Sequence, residues 1–187
     1  MGMVLSVFSA FGLSSAAGLN AYLPLLVVAL LARLTDLVKL SPPWDVLTSW
    51  WVIGALVVLL IIETLVDKVP AADTVNDIIN TAIRPAAGAV LFAANSGNLG
   101  EVHPVLALIC GLLIAGGVHA AKATARPVVT ATTAGTGNWL VSTLEDVVSF
   151  ITSIVSILAP VLVPALVVAL VVWVGWRLSQ RRSLRPA

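Results

Sequence analysis

Five apolar stretches separated by short polar segments organise the chain. The first runs from about Met3 to Ala32 and is interrupted by Ser14-Ser15-Ala16-Ala17-Gly18-Leu19-Asn20-Ala21-Tyr22-Leu23-Pro24. Drawn as one helix it would measure ~45 Å at 1.5 Å per residue, longer than a hydrocarbon core of ~30 Å. A tilted, kinked or broken helix is expected, with its fault near Gly18 to Pro24. The second stretch, Leu47 to Val66, ends in Glu63-Thr64-Leu65-Val66-Asp67-Lys68, and the third, Val105 to Ala121, leads through His119 into Lys122 and Arg126. The last two, Trp139 to Leu158 and Val161 to Trp176, meet around Ala159-Pro160. They read either as a very tight hairpin or as one long tilted helix from about Ser149, with Trp139 to Val148 at an interface. Unbroken from Trp139 to Arg177 the helix would measure ~58 Å, so the chain must bend, and Pro160 and Pro164 are where it can.

Composition turns these stretches into membrane crossings. Of 187 residues, 59% are hydrophobic and 10% charged, with a mean hydropathy of +1.06. A soluble domain carries about 25% charged residues, and a disordered chain needs low hydrophobicity with high charge. The expectation is an all-α integral membrane protein, a single polytopic domain over 1–187 with a basic tail at 177–187. It has five transmembrane helices, or six if Asp77 to Ala94 also spans. The apolar Met1 to Leu13 lacks the basic start of a secretory signal and reads as the start of the first membrane helix. A single cysteine, Cys110, precludes an intrachain disulfide. The net charge of +1 and the lack of a basic block away from the carboxyl terminus give no nucleic-acid partner.

Basic residues set the expected orientation. Arg177, Arg181, Arg182 and Arg185 make the carboxyl terminus cytoplasmic, and five crossings then put the amino terminus outside. Arg33, Lys39, Lys122 and Arg126 fall inside, and the acidic Asp67 to Asp77 segment falls outside. Six crossings would put Arg33 and Lys39 outside and fit the rule less well. Trp44, Trp50, Trp51, Trp139, Trp173 and Trp176 stand near stretch ends, as an interfacial belt would.

One internal echo is visible. Arg84-Pro85 leads to Ser96-Gly97-Asn98, and Arg126-Pro127 leads to Thr136-Gly137-Asn138 after a similar distance. Each follows a membrane stretch ending in a lysine, Lys68 or Lys122. The pattern predicts two short Arg-Pro re-entrant or interfacial segments and an inverted repeat with halves 1–98 and 99–176, a plan common in transporters. Alternatively, each Arg-Pro is a loop entering a helix.

Charges at membrane depth are the informative positions, because each costs roughly 2.5–3.5 kcal/mol at a helix centre and persists by facing a cavity or a partner. Glu145 and Asp146 would sit about a third of the way into their span. As neighbours pointing about 100° apart, at most one faces a site while the other pairs with a base; at an interface both are solvated. Glu63 and Asp67 share a face at i, i+4, with Lys68 close enough for a salt bridge. His119 and Lys122 share another at i, i+3, with Arg126 one turn along, a basic stripe suited to Glu145, Asp146 or a phosphate. His119 is the embedded group that titrates nearest neutral pH when unperturbed, fit for a proton relay or a structural hydrogen bond. Asn20 offers an amide to a ligand or a helix cap. Without a P-loop or a metal or protease signature, neither an enzyme nor a cofactor is expected.

The ordered set Gly12-Leu13-Ser14-Ser15-Ala16-Ala17-Gly18-Leu19-Asn20-Ala21-Tyr22-Leu23-Pro24, Glu63…Asp67-Lys68…Pro70…Asp73, Arg84-Pro85, and His119-Ala120-Ala121-Lys122…Arg126-Pro127…Gly137-Asn138…Glu145-Asp146 resembles a widespread bacterial family of small integral membrane proteins of unknown function. The resemblance covers nearly the whole chain. It implies a multi-pass protein of the bacterial inner membrane and supplies no substrate.

The residues themselves point first to a small transporter or flippase for an anionic small molecule or lipid headgroup. Arg84, Arg126, Lys122, Asn20, Asn98 and Asn138 would bind substrate. Glu63, Asp67, His119, Glu145 and Asp146 would form a proton- or cation-coupling polar network. The alternatives are an ion channel and a non-transporting scaffold whose charges fix helix register. A homo-oligomer, most simply a dimer, is expected because so short a chain encloses little space alone.

Overall fold

The computed structural model describes residues 2–66, 70–96, 102–133 and 137–183, and these are helical with no strand. Seven α-helices follow in order: α1 (Gly2–Leu19), α2 (Tyr22–Leu34), α3 (Trp50–Val66), α4 (Pro70–Ser96), α5 (Pro104–Thr133), α6 (Asn138–Leu158) and α7 (Leu162–Ser183). A short 3-10 turn, Trp44–Thr48, precedes α3. Two spans, Pro104–Ala125 and Asn138–Leu158, are long and apolar enough to cross a membrane; Val4–Leu19, Tyr22–Leu34, Trp50–Val66 and Leu162–Val174 are shorter apolar helices.

The fault in the first stretch falls at Asn20-Ala21, and the chain reverses there. Val38, just past α2, packs in one apolar cluster with Leu13 of α1, and Leu37 and Val38 share a pocket with Leu5 and Ser6 near the start of α1. α1 and α2 therefore form a helical hairpin rather than one bent rod. Its turn stands at the level of Asp146, the ninth residue of α6, and of Lys122, which α5 outruns by eleven residues. At 1.5 Å per residue, α6 and α5 extend ~12 Å and ~16 Å beyond the turn.

The core is a sandwich of α1, α4 and α5 held at close range by small residues. Ala10, Ser14 and Gly18 recur every fourth position on α1, and the Ser14 hydroxyl donates to the Gly88 carbonyl at 2.9 Å. Gly88 of α4 and Gly111 of α5 bring two backbones together, since a Cβ on either would run into the facing helix. Packing of small residues at such spacing is how apolar helices associate where burial of oil offers no advantage.

Two expectations are corrected. Neither Arg-Pro begins a separate segment: Pro85 lies inside α4 and Pro127 inside α5. The two pairs also occupy unlike places. Arg84-Pro85 sits mid-helix against α3 and α5, and Arg126-Pro127 lies past Lys122 in the last third of α5. Second, 77–94 belongs to a helix that runs the length of the bundle. α4 carries Gly88 and Phe92 past Gly111 and Ala107 of α5, so each later helix reverses relative to the five-stretch count. Arg33 and Lys39 thus stand at the end opposite the carboxyl end of α7. The start of α1 and the end of α7 remain at opposite ends because the first stretch is a hairpin.

The last junction is a bend. α6 stops at Leu158 and α7 starts at Leu162, with Val163 beside Gly12 of α1. α7 touches its neighbours sparingly and leaves an open apolar groove of about 750 Å³ against α1 and α6, lined by Leu19, Val155, Leu166 and Leu170 among others.

Candidate functional site

Around the α1–α2 turn the bundle buries polar side chains and turns aliphatic ones outward. On α6 the buried residues are Ser142, Ser149, Ser153 and Ser156, whereas Leu144, Val147, Val148, Phe150 and Ile151 are exposed. Glu63, Asn80, Arg84, His119 and Lys122 are buried as well. This polarity is the reverse of a water-soluble fold.

The first cluster joins α3, α4 and α5. Arg84 Nη2 meets Glu63 Oε1 at 3.1 Å, and the two side chains are 1% and 2% exposed. Asn80, one turn before Arg84, donates from Nδ2 to the same carboxylate oxygen at 3.0 Å. Arg84 Nη1 lies 3.3 Å from His119 Nδ1, and His119 Nε2 lies 3.2 Å from Thr81 Oγ1. A guanidinium can only donate, so Nδ1 must present its lone pair, which puts the imidazole proton on Nε2, facing Thr81. This assignment rests on the hydrogen-bond network. Arg84 Nε is buried with no hydrogen-bond partner among the described residues. Tyr22, in the first turn of α2, is close enough to feel the charges of Glu63 and Arg84.

The second cluster holds the turn itself. Asn20 Oδ1 accepts from the amides of Tyr22 and Leu23, both at 3.0 Å, capping α2 from one position ahead of Ala21. Pro24 then falls in the first helical turn, where its missing amide costs nothing. Asn20 Nδ2 donates to Asp146 Oδ1 at 2.9 Å. On the other side of the turn, Lys122 Nζ donates to the Leu19 carbonyl at 3.3 Å and pairs with Glu145 Oε2 at 2.6 Å. A cation at the carboxyl end of α1 and an acid by the amino end of α2 each complement the local helix dipole. Ser149 donates to the Ala16 carbonyl at 3.0 Å and seals α6 to α1.

Seven of the residues singled out from the sequence therefore meet around one level: Asn20, Glu63, Arg84, His119, Lys122, Glu145 and Asp146. Glu63 pairs with Arg84 of α4, and the salt bridge expected between Glu63 and Lys68 lies outside the described residues. Asn138 starts α6, ~12 Å along the helix from Asp146, and belongs to neither cluster. Asp67, Lys68 and Asn98 lie outside the described residues, as does the side chain of Arg126. Asn80, Thr81 and Tyr22 went unnoticed in the sequence. The i, i+4 spacing of Asn80 and Arg84 was the available signal, hidden while Arg84-Pro85 reads as the start of a new segment.

The chain belongs to the family described as a domain of unknown function (DUF4126), whose model matches residues 7–181. No curated protein and no solved structure matches it.

Proposed function

We propose that the chain is a multi-pass protein of the bacterial cytoplasmic membrane and a small carrier for an anionic solute. Three features support a bilayer setting: the inverted polarity, the two spans long enough to cross, and exposed tryptophans at both ends of the bundle (Trp50 and Trp51 at one, Trp139 and Trp176 at the other). In that setting α3 to α7 cross five times, and α1–α2 is a re-entrant hairpin that turns inside the hydrocarbon. The basic tail faces the cytoplasm and the amino terminus with Arg33 faces the opposite side.

The observation that carries the anion reading is Arg84. It is a buried guanidinium held by one carboxylate, with Nε unclaimed, beside a helix discontinuity. Broken helices whose termini and freed polar groups face a mid-depth site are how transporters bind ions and anionic groups. An entering anion takes the place of Glu63 on Arg84.

Transport assays in liposomes test this. Purified protein should admit at least one of chloride, nitrate and phosphate, with Arg84→Lys changing the half-saturation concentration and Arg84→Gln abolishing flux while the protein still folds. Sealed liposomes for every anion, or unchanged flux in Arg84→Gln, would refute the carrier.

A second reading has its own observation. α3 touches α4 little, and α5 touches α6 little, apart from the Glu63–Arg84 and Lys122–Glu145 links. In a scaffold both pairs serve only to fix helix register, and charge-swapped pairs would retain full cellular function.

A further inference from the structure

Resting on the reading of Arg84 as the anion site, we infer that the substrate is a monoanion carried with one proton and no net charge, and that His119 Nδ1 holds the proton. The closed triad of Glu63, Arg84 and neutral His119 sums to zero charge. Its closure depends on the Nδ1 lone pair, which accepts from Arg84 at 3.3 Å. A proton arriving at Nδ1 turns that acceptor into a donor and sets two cations face to face, away from water, where their repulsion is weakly screened.

The imidazolium then takes Glu63 as its acceptor through the new Nδ1–H. Arg84 loses its carboxylate and presents Nη2 together with Nε to an incoming anion. The triad now carries one positive charge, and a monoanion restores neutrality. A dianion would leave an uncompensated buried charge, which costs several kcal/mol. On the far side anion and proton leave together, Nδ1 regains its lone pair and Arg84 returns to Glu63. Thr81 Oγ1, 3.2 Å from Nε2, holds the ring in place in both states.

Charged and titratable groups face this ring from each element packed around it. On α5 the neighbour is Lys122, neutralised by Glu145 of α6. Asp146 of α6, held by Asn20, adds a negative charge. α4 contributes Arg84; Glu63 of α3 and Tyr22 of α2 come through Arg84. α1 holds no titratable side chain.

The test uses the full chain carrying His103→Gln, since the chain has two histidines and His103 is exposed at the start of α5. Nitrogen-15 NMR in phosphatidylethanolamine–phosphatidylglycerol nanodiscs should show Nδ1 bare and Nε2 protonated at high pH, with Nδ1 gaining its proton on acidification. In liposomes of the same lipids loaded with a pH dye, chloride, nitrate and dihydrogen phosphate are offered singly. Flux of chloride or nitrate should acidify the interior by one proton per anion, phosphate by that proton plus those its own ionisation releases inside, and none should gain speed from valinomycin with potassium. His119→Gln preserves an acceptor toward Arg84 and a donor toward Thr81, and should lose the acidification. A protonated Nδ1 at high pH overturns the inference whatever the flux. Anion entry without acidification, or accelerated by valinomycin, overturns it and leaves the carrier standing. Absence of flux with all three anions overturns both.

Discussion

Glu63–Arg84 and Lys122–Glu145 are built from the same chemistry, and His119 and Lys122 bring them within one turn of each other on α5. Each ties together two helices that otherwise touch little. Their surroundings differ. Lys122 is held from two sides, by Glu145 and by the carbonyl that ends α1, and both of these holds support the hairpin. Arg84 is buried more completely, at 1%, against an imidazole that can change from acceptor to donor and with a nitrogen to spare. Burial and pairing alone therefore do not distinguish a site from a brace. What distinguishes them is whether a partner can be exchanged without leaving a charge stranded.

The comparison breaks most sharply at Glu63. Glu63→Leu strands Arg84 and should cost about 3–5 kcal/mol, whereas Glu63→Leu with Arg84→Leu should recover most of that loss. Thermal unfolding in detergent measures both, and the double variant should remain inactive in liposomes. Next comes the brace. Lys122→Glu and Glu145→Lys should each destabilise, and the charge-swapped double variant should regain about 0.5–3 kcal/mol of coupling together with transport. A swap that restores stability and leaves the protein inactive would move Lys122 into the site. Asn20→Ala removes the cap of α2 and the bond to Asp146 and should cost about 1–2 kcal/mol. Hydrogen exchange should locate the loosening at Tyr22 and Leu23. Val172→Ala, on the exposed face of α7, should stay within about 0.5 kcal/mol and calibrates the series.

Much of this was legible beforehand, for identifiable reasons. Gly18, Asn20 and Pro24 inside a long apolar run signal a break, and the break is there. Ionisable residues in an apolar chain are few enough that six of those chosen converge, together with Asn20. α4 was only partly legible. Its segment carries Asp73, Asp77, Asn80 and Arg84, so 77–94 reads only as an optional sixth crossing and Arg84-Pro85 as the start of a short re-entrant or interfacial segment. Only when Arg84 finds Glu63 and His119, and Gly88 finds Gly111, does that helix become buriable. Sequence spacing cannot report partners seventeen to thirty-eight residues away. The Arg-Pro pairs misled for a related reason: a proline inside a helix supplies no amide at its turn, yet both helices continue through it, with buried Arg84 and Ala87 on either side of Pro85.

The amino-acid sequence by itself determined the all-helical class, the break at Asn20 and the short list of polar residues, because apolar run length, capping chemistry and scarcity of charge are local properties. Tertiary structure decided which charge meets which, that the break is a reversal rather than a kink, and that α4 runs through the bundle. Those outcomes depend on pairing between distant helices, and a buried charge is tolerable only once its partner has arrived.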